Sequence, residues 1–198
     1  MQLVSLQQRT KEWLDFRRNH ICASDAPIIM GVSPYKKADR LYEEKLGDYE
    51  IAPNQYMMRG IELEPLALEK FEEETGMMML PCVGKHENGW MAASFDGMTF
   101  ENDAIVEIKC PGKKDHDLAL QGIIPTKYVP QLQHQIYVSG LSMSYYYSFD
   151  GENGVVIEVE RDEDYIEIML EKEYEFWKCI KNLTPPVVSR RLKRGMYV

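Results

Sequence analysis

The sequence lacks most of the features that would assign it quickly. Its four cysteines, Cys22, Cys82, Cys110 and Cys179, stand far apart. None of the close pairs used by zinc sites or iron–sulphur clusters is present, so they read as reduced, mostly buried thiols. The four histidines, His20, His86, His116 and His134, form no i,i+4 pair of the kind that chelates a metal from one helix face, so ordinary core or surface roles are expected for them. Apolar runs such as Ile28 to Met30 and Met77 to Leu80 fall far short of the roughly 20 residues that cross a bilayer. The opening MQLVSLQQRTKEW is too polar for a secretory core, so a cytoplasmic protein is expected. Positive charge is also scarce: 23 Lys and Arg face 32 Asp and Glu, for a net charge of −9. That balance disfavours general attraction to phosphate, so any contact with nucleic acid must rest on locally basic surface and on metal ions.

What is present suits one core. At 198 residues and 44% apolar, the chain reads as a single domain over 1–198, ending in a basic tail at 187–198. A Ser5-x-x-Gln8 capping box predicts a first helix ending near Asn19, and Ser24 predicts the next N-cap, before an apolar stretch closed by Gly31. Helical spacing recurs at Asp39 to Leu46, Met58 to Thr75, Val129 to Ser139 and Asp162 to Asn182. MMMLPCV, WMAASF and AIVEIKC read as three strands, and 144–149 with 155–160 as a hairpin. The order predicts an α/β fold: a central mixed β-sheet flanked by helices.

The segment Ala104-Ile-Val-Glu-Ile-Lys-Cys110 carries the most information. Strand side chains alternate, so Glu107 and Lys109 share one face with Ile105. Two charges in an apolar strand need a cation, an ion pair or a wet cleft, because burying them bare costs several kcal/mol or more. Asp96, in Ser94-Phe95-Asp96-Gly97, is read as ending the preceding strand at a turn, from which a hairpin brings its carboxylate to Glu107. Two facing carboxylates repel unless a divalent cation lies between them, and such oxygen ligands select Mg²⁺, with Mn²⁺ as a substitute. The backbone carbonyl of Ile108 is a further candidate ligand. Lys109 would then orient or help deprotonate a water for phosphodiester hydrolysis. An exposed cross-strand ion pair between Glu107 and Lys109, with Asp96 merely opening a turn, fits this short pattern equally well.

The wider set of motifs resembles the YqaJ-type viral recombinase family, within the PD-(D/E)XK nuclease superfamily. The resemblance runs through Trp13 to Arg17 with Cys22-Ala-Ser-Asp25, Met58-Arg-Gly-Ile-Glu-Leu-Glu64, Ala93-Ser-Phe-Asp-Gly97, Glu107-Ile-Lys-Cys-Pro111, YVPQLQH at 128–134 and Val159-Glu-Arg-Asp-Glu163. It implies a restriction-endonuclease-like core, with Asp96 and Glu107 as ligands for one or two metal ions, Lys109 as the catalytic lysine, Glu64 close to the metals and Gln133 as the glutamine bordering the cleft. It further implies Arg17, Ser24 and Ser94 as holders of a terminal 5′-phosphate, and Met57 as a wedge between end base pairs. The expected activity is a 5′-to-3′ exonuclease on linear double-stranded DNA, leaving a 3′ overhang. The expected assembly is a toroidal homotrimer working with a single-strand annealing recombinase, with no membrane, in the cytoplasm of a bacterial host of phage or prophage. An end-independent endonuclease or junction resolvase with the same metal site remains open. So does a DNA-end-binding protein without turnover. The Met57-Met58 and Met77 to Met79 clusters are otherwise expected in the core, and the basic tail is expected to be solvated, to touch phosphate or to dock on a neighbouring subunit.

Overall fold

The computed structural model describes residues 1–47 and 55–187; the basic tail beyond Val187 lies outside them. Among the described residues no helix is long and apolar enough to cross a membrane. The chain runs β1 (Gln2–Val4), α1 (Lys11–Arg18), β2 (Ile21–Cys22), a 3₁₀ turn (Ala23–Asp25), α2 (Ala26–Ile29), α3 (Ala38–Leu46) and α4 (Gln55–Thr75). It continues with β3 (Leu80–Lys85), β4 (Met91–Met98), β5 (Ile105–Lys109), α5 (Lys113–Ala119), α6 (Val129–Ser139), β6 (Met143–Phe149), β7 (Gly154–Glu160) and α7 (Glu163–Lys181). The strands form one sheet in the order β1-β3-β4-β5-β6-β7, with β2 added beside β4. It is mixed, because β5 lies antiparallel to β4 and parallel to β6.

Alternation along the strands sorts the core into two layers. Val106 and Ile108 of β5 and Tyr147 and Phe149 of β6 pack under Ala67 and Phe71 of α4. On the other face Tyr146 packs with Leu132 and Ile136 of α6, while Met91, Ala93, Phe95, Met98 and Ile105 meet Val138. Glu107 pairs in register with Tyr146, so it too points towards α6.

Several expectations change. The first helix is capped by Thr10, whose side chain accepts from the Trp13 N–H, and the chain before it forms β1 and not the first turn of a helix. The second cap is not Ser24 either: the Asp25 carboxylate accepts from the Cys22 N–H at 2.8 Å, which leaves the Ser24 hydroxyl to other work. The short elements β2 and α5 carry too few residues to show a period. Of the methionine clusters only Met79 is core; Met57, Met58 and Met78 are exposed. All four cysteines are free thiols, but only Cys22 is buried, the others being half-buried.

Asp96 does not end its strand. β4 continues to Met98, and its pairing with β3 slips by one residue between Leu80 and Cys82, a bulge that places an extra residue on β4 near Asp96. A bulge rotates the following side chains relative to the pleat, which is how Asp96 reaches the Glu107 face. Gly97 fits this spot because a Cβ there would stand 2.7 Å from Met79 Cβ and 2.9 Å from Val106 Cγ1. Gly97→Ala is therefore expected to lower stability by about 1–3 kcal/mol through overpacking, read as a lower urea midpoint at unchanged slope. Gly112→Ala, where nothing lies within 4 Å of the added carbon, should stay within about 0.5 kcal/mol.

Candidate active site

β4, β5, α4 and α6 enclose a polar cleft of about 180 Å³ lined by Asp96, Glu107, Lys109 and Glu64 among others. Glu107 is 2% exposed, so a buried carboxylate stands in the middle strand of the sheet. Its surroundings satisfy it. The Lys109 ammonium lies against Oε1, Gln131 Nε2 donates to the same oxygen at 2.5 Å, and Gln135 Nε2 donates to Oε2 at 2.5 Å. Gln135 also donates to the Ser94 carbonyl at 3.2 Å, while its own Oε1 is buried without a partner among the described residues. Asp96 Oδ2 accepts from the Ile108 N–H at 2.8 Å, which locks the bulge to β5.

The electrostatics are those of a site short of positive charge. Burial first, and then the Glu107 and Glu64 carboxylates, push Asp96 well above the usual carboxylate range against the pull of Lys109. Burial works to discharge Lys109, but Glu107 and Asp96 outweigh it and hold the ammonium above its ordinary range. Burial raises Glu64 as well; Arg9, whose Nη2 donates to Glu64 Oε2 at 2.6 Å, pulls it down and Glu107 pushes it up. Arg9 reaches it from a left-handed backbone with φ of 70°, a strained conformation for a non-glycine residue. Among the described residues no three His, Cys, Asp or Glu side chains form a ready-made ligand set. A cation here would be held by Asp96 and Glu107, with water and the main chain of Ile108, which also lines the cleft. The oxygen chemistry of that donor set fits hard Mg²⁺.

A second corner of the same cleft is built by Arg17, Ser24 and Ser94. Arg17 Nη2 donates to Ser24 Oγ at 2.6 Å and its guanidinium lies 4.4 Å from the centre of the Trp13 ring, whose Nε1 donates to Ser94 Oγ at 2.9 Å. Trp13 thus ties the three together. The backbone beneath is pinned by a buried pair, Lys45 Nζ to Asp25 Oδ2 at 2.5 Å, and the same ammonium donates to the Arg17 and His20 carbonyls, each at 2.7 Å. Burial works against it, but Lys45 and Arg17 hold the Asp25 carboxyl below its ordinary range.

Gln133 is a correction. Its Nε2 donates to the Glu160 carbonyl at 2.8 Å and its Oε1 accepts from the Asp162 N–H at 3.0 Å, so it ties α6 to the start of α7 and does not line the cleft. On a helix, residues four apart share a face and residues two apart do not. The face that meets Glu107 belongs to Gln131 and Gln135, and the i, i+4, i+7 run Gln131, Gln135, Val138 is the signal that could have identified it. Met57 is exposed on α4, and nothing in the structure assigns it to the cleft.

A family model for the YqaJ-like viral recombinase domain matches residues 12–142. The chain belongs to that family. A curated relative, the uncharacterized protein YqaJ of Bacillus subtilis strain 168, is 30% identical over 174 residues, covering 84% of this chain and 54% of the relative. The chain thus spans about half the length of the relative it matches. Among solved structures, the alkaline exonuclease LHK-Exo of Laribacter hongkongensis superposes with a TM-score of 0.75 at 24% identity, over 88% of this chain and 94% of that one. A phage-related exonuclease of Haemophilus somnus 129PT gives a TM-score of 0.64 at 17% identity, over 83% and 94%. The fold of this YqaJ-like domain is accordingly the PD-(D/E)XK fold of the phage-type exonucleases.

The histidine nearest the cleft does structural work in the YqaJ-like domain. His134 and Glu173 of α7 are both fully buried; the ring Nδ1 lies 2.9 Å from Glu173 Oε1 and Nε2 lies 3.0 Å from the Ala92 carbonyl of β4. Burial acts to discharge the imidazole, but Glu173 outweighs it and raises the pKa above its ordinary 6.5. The linkage follows from the sign: stability from a raised histidine is complete below the unfolded value and is lost as pH rises through the folded one. Urea unfolding between pH 6 and 9 should therefore show a decline beginning near the ordinary value of 6.5. In Glu173→Gln this portion of the slope should vanish, together with a loss of about 3–5 kcal/mol from the broken pair.

Proposed function

We propose that this domain is a Mg²⁺-dependent deoxyribonuclease that degrades linear double-stranded DNA from its 5′ end, releasing 5′-mononucleotides and leaving a 3′ single strand. The carrying observation is one cleft that holds both a carboxylate pair with an ammonium, buried Glu107 and half-buried Asp96 with Lys109, and a corner of Arg17 with Ser24 and Ser94 whose donors suit a phosphate. The likeness to solved exonucleases supports the same reading, and one of them, LHK-Exo, has been seen in complex with dAMP.

When bound by Asp96, Glu107 and the Ile108 carbonyl, with Glu64 close by, Mg²⁺ would supply Lewis-acid neutralisation of the charge that builds on the phosphate. The chain's own groups do the rest. Gln131 and Gln135 hold the Glu107 carboxylate in one orientation, so its lone pairs face the cleft without a reorganisation cost at the moment of reaction. Lys109 positions a water for in-line attack and stabilises the negative charge that develops as the water loses its proton to solvent. The Arg17 fork and the Ser24 and Ser94 hydroxyls receive the terminal 5′-phosphate, which sets the scissile bond one nucleotide away and gives the polarity.

A net charge of −9 gives a poor electrostatic grip on DNA. In this reading a toroidal homotrimer encloses the duplex and topology replaces charge, while a single-strand annealing recombinase takes up the 3′ strand in the bacterial cytoplasm. Timed digestion of labelled DNA tests the proposal. Linear duplex should be consumed in Mg²⁺ and not in EDTA, closed circular duplex should survive, and Lys109→Ala should cut the rate by about 10²–10⁴-fold while Ca²⁺-supported binding stays within a few-fold. Arg17→Ala should erase a preference for 5′-phosphorylated over 5′-hydroxyl ends. Cleavage of closed circles would replace the end-dependent reading by an endonuclease, and near-native activity of Lys109→Ala would remove that residue from the mechanism.

A further inference from the structure

Tyr35 is 79% exposed, yet little about it is free to move. It sits in the turn between α2 and α3, where the Ser33 hydroxyl accepts from the Tyr35 N–H at 3.3 Å and the Lys36 N–H at 3.4 Å. The start of the turn is tied to α2 by the Ser33 N–H, which donates to the Pro27 carbonyl at 2.9 Å, and its end to α3 by Lys36 Nζ on Glu44 Oε2 at 2.5 Å. The side chain is held as well. Lys127 Nζ donates to the Tyr35 hydroxyl at 2.8 Å and pairs with Asp115 Oδ2 at 2.6 Å.

That ion pair is largely shielded, Lys127 being 17% and Asp115 19% exposed, so it anchors the hydroxyl firmly. The ammonium is 5.1 Å from the ring centre but 2.8 Å from the oxygen. It therefore grips the ring at its hydroxyl end and leaves the ring itself to solvent. Holding an aromatic ring out in water buries no apolar surface and costs the entropy of ordering the turn and the side chain. Among the described residues, other exposed large side chains such as Met78 and Phe100 show no comparable set of hydrogen-bond and ring-contact anchors.

The position of this ring gives it a use. The Tyr128 ring lies 4.9 Å from Lys127 Nζ and 5.6 Å from Lys109 Nζ, so one aromatic ring separates the anchor of Tyr35 from the ammonium of the cleft. A stacked strand advances about 3.4 Å per nucleotide, which puts Tyr35 within a few nucleotide steps of the reacting phosphate. We propose that Tyr35 is a stacking platform for a nucleobase of the DNA strand entering or leaving the cleft, pre-set by Lys127 and Asp115. An aromatic face takes any base, so the platform would hold the strand without reading its sequence.

This rests on the nuclease reading for its substrate, and the test separates the two. DNA ends carrying 5-iodouracil at each of the first six positions of either strand are bound in Ca²⁺ and irradiated, and the cross-linked peptide is mapped. KM, kcat and the Ca²⁺-supported Kd are measured in parallel for wild type, Tyr35→Ala, Tyr35→Trp and Lys127→Met. The proposal expects a cross-link at Tyr35 from one or two adjacent positions. It also expects Tyr35→Ala to raise KM and Kd by about 5- to 100-fold with kcat within twofold, Tyr35→Trp to restore both, and Lys127→Met to fall between. Absence of a Tyr35 cross-link together with unchanged KM and Kd in Tyr35→Ala overturns it. So does a Tyr35→Ala defect that appears in oligomeric state and not in Kd. A wild-type protein that binds and cross-links through Tyr35 but never hydrolyses DNA would sink the nuclease reading and leave the platform standing.

Discussion

Everything in this domain is arranged around one costly placement: the Glu107 carboxylate on an interior strand, 2% exposed. A bare charge there would outweigh much of the stability that a domain of this size possesses. Three side chains prevent that, Lys109 from the same strand and Gln131 and Gln135 from the helix above, and each approaches because a regular element carries it. Strand alternation delivers Lys109 two residues on, and helix periodicity delivers two glutamines one turn apart. The bonds that make the fold tolerable are thus the bonds that orient the carboxylate. A substitution on α6 that loosened the site would be felt as lost stability, and the two effects share one origin.

The second carboxylate is set by a different device. In a regular strand paired with β3, Asp96 would alternate with Phe95 and fall on the wrong side; the one-residue slip in register turns it to the Glu107 side. Gly97 keeps the bulge compact by leaving room for Met79 and Val106, and the Ile108 N–H fixes the result. The electrostatic consequence is two acids set close together in one cleft. Asp96, which lacks the glutamines that serve Glu107, is pushed above the usual carboxylate range by burial first and then by Glu107 and Glu64.

Much of this was legible in the sequence, and the limits of legibility are physical. A charged pair inside a short apolar strand, Glu107 and Lys109, draws attention to that strand because burying charge is costly, although the short pattern alone fits an exposed ion pair equally well. The long helices and their glycine stops emerged because period and capping agree over many residues, as at Val129 to Ser139 before Gly140. The bulge at Asp96 was invisible, since nothing in Ser-Phe-Asp-Gly separates a turn from an irregular strand. Gln133, implied by the family resemblance, failed for another reason. Seven of the eleven residues of α6 are buried, Gln133 among them, so burial does not single out the right glutamine, whereas the four-residue spacing of Gln131 and Gln135 does. The Ser24 cap was misassigned because Ser and Asp at neighbouring positions offer equivalent signals; in the structure the Ser24 hydroxyl accepts from Arg17, and the Asp25 carboxylate accepts from the Cys22 N–H and pairs with Lys45.

The contrast between the acidic average and the cleft's local needs explains how the cations are spent. Many surface lysines and arginines pair with acids one turn away, as Lys70 does with Glu73 and Lys113 with Asp117, and these contribute little to anything beyond solubility. Those near the cleft are used differently: Lys45 pins a turn, Lys127 holds a tyrosine, Arg9 reaches Glu64, and Arg17 lies over an indole and donates to Ser24. Each acts at short range through a fixed geometry, where a low local dielectric strengthens it and salt screens it less. Under the proposed function, this is how an acidic chain would handle a polyanion: the few charges facing it are pre-placed. In this molecule the placement comes from strands and helices for the reacting groups and from tightly pinned turns for the groups around them.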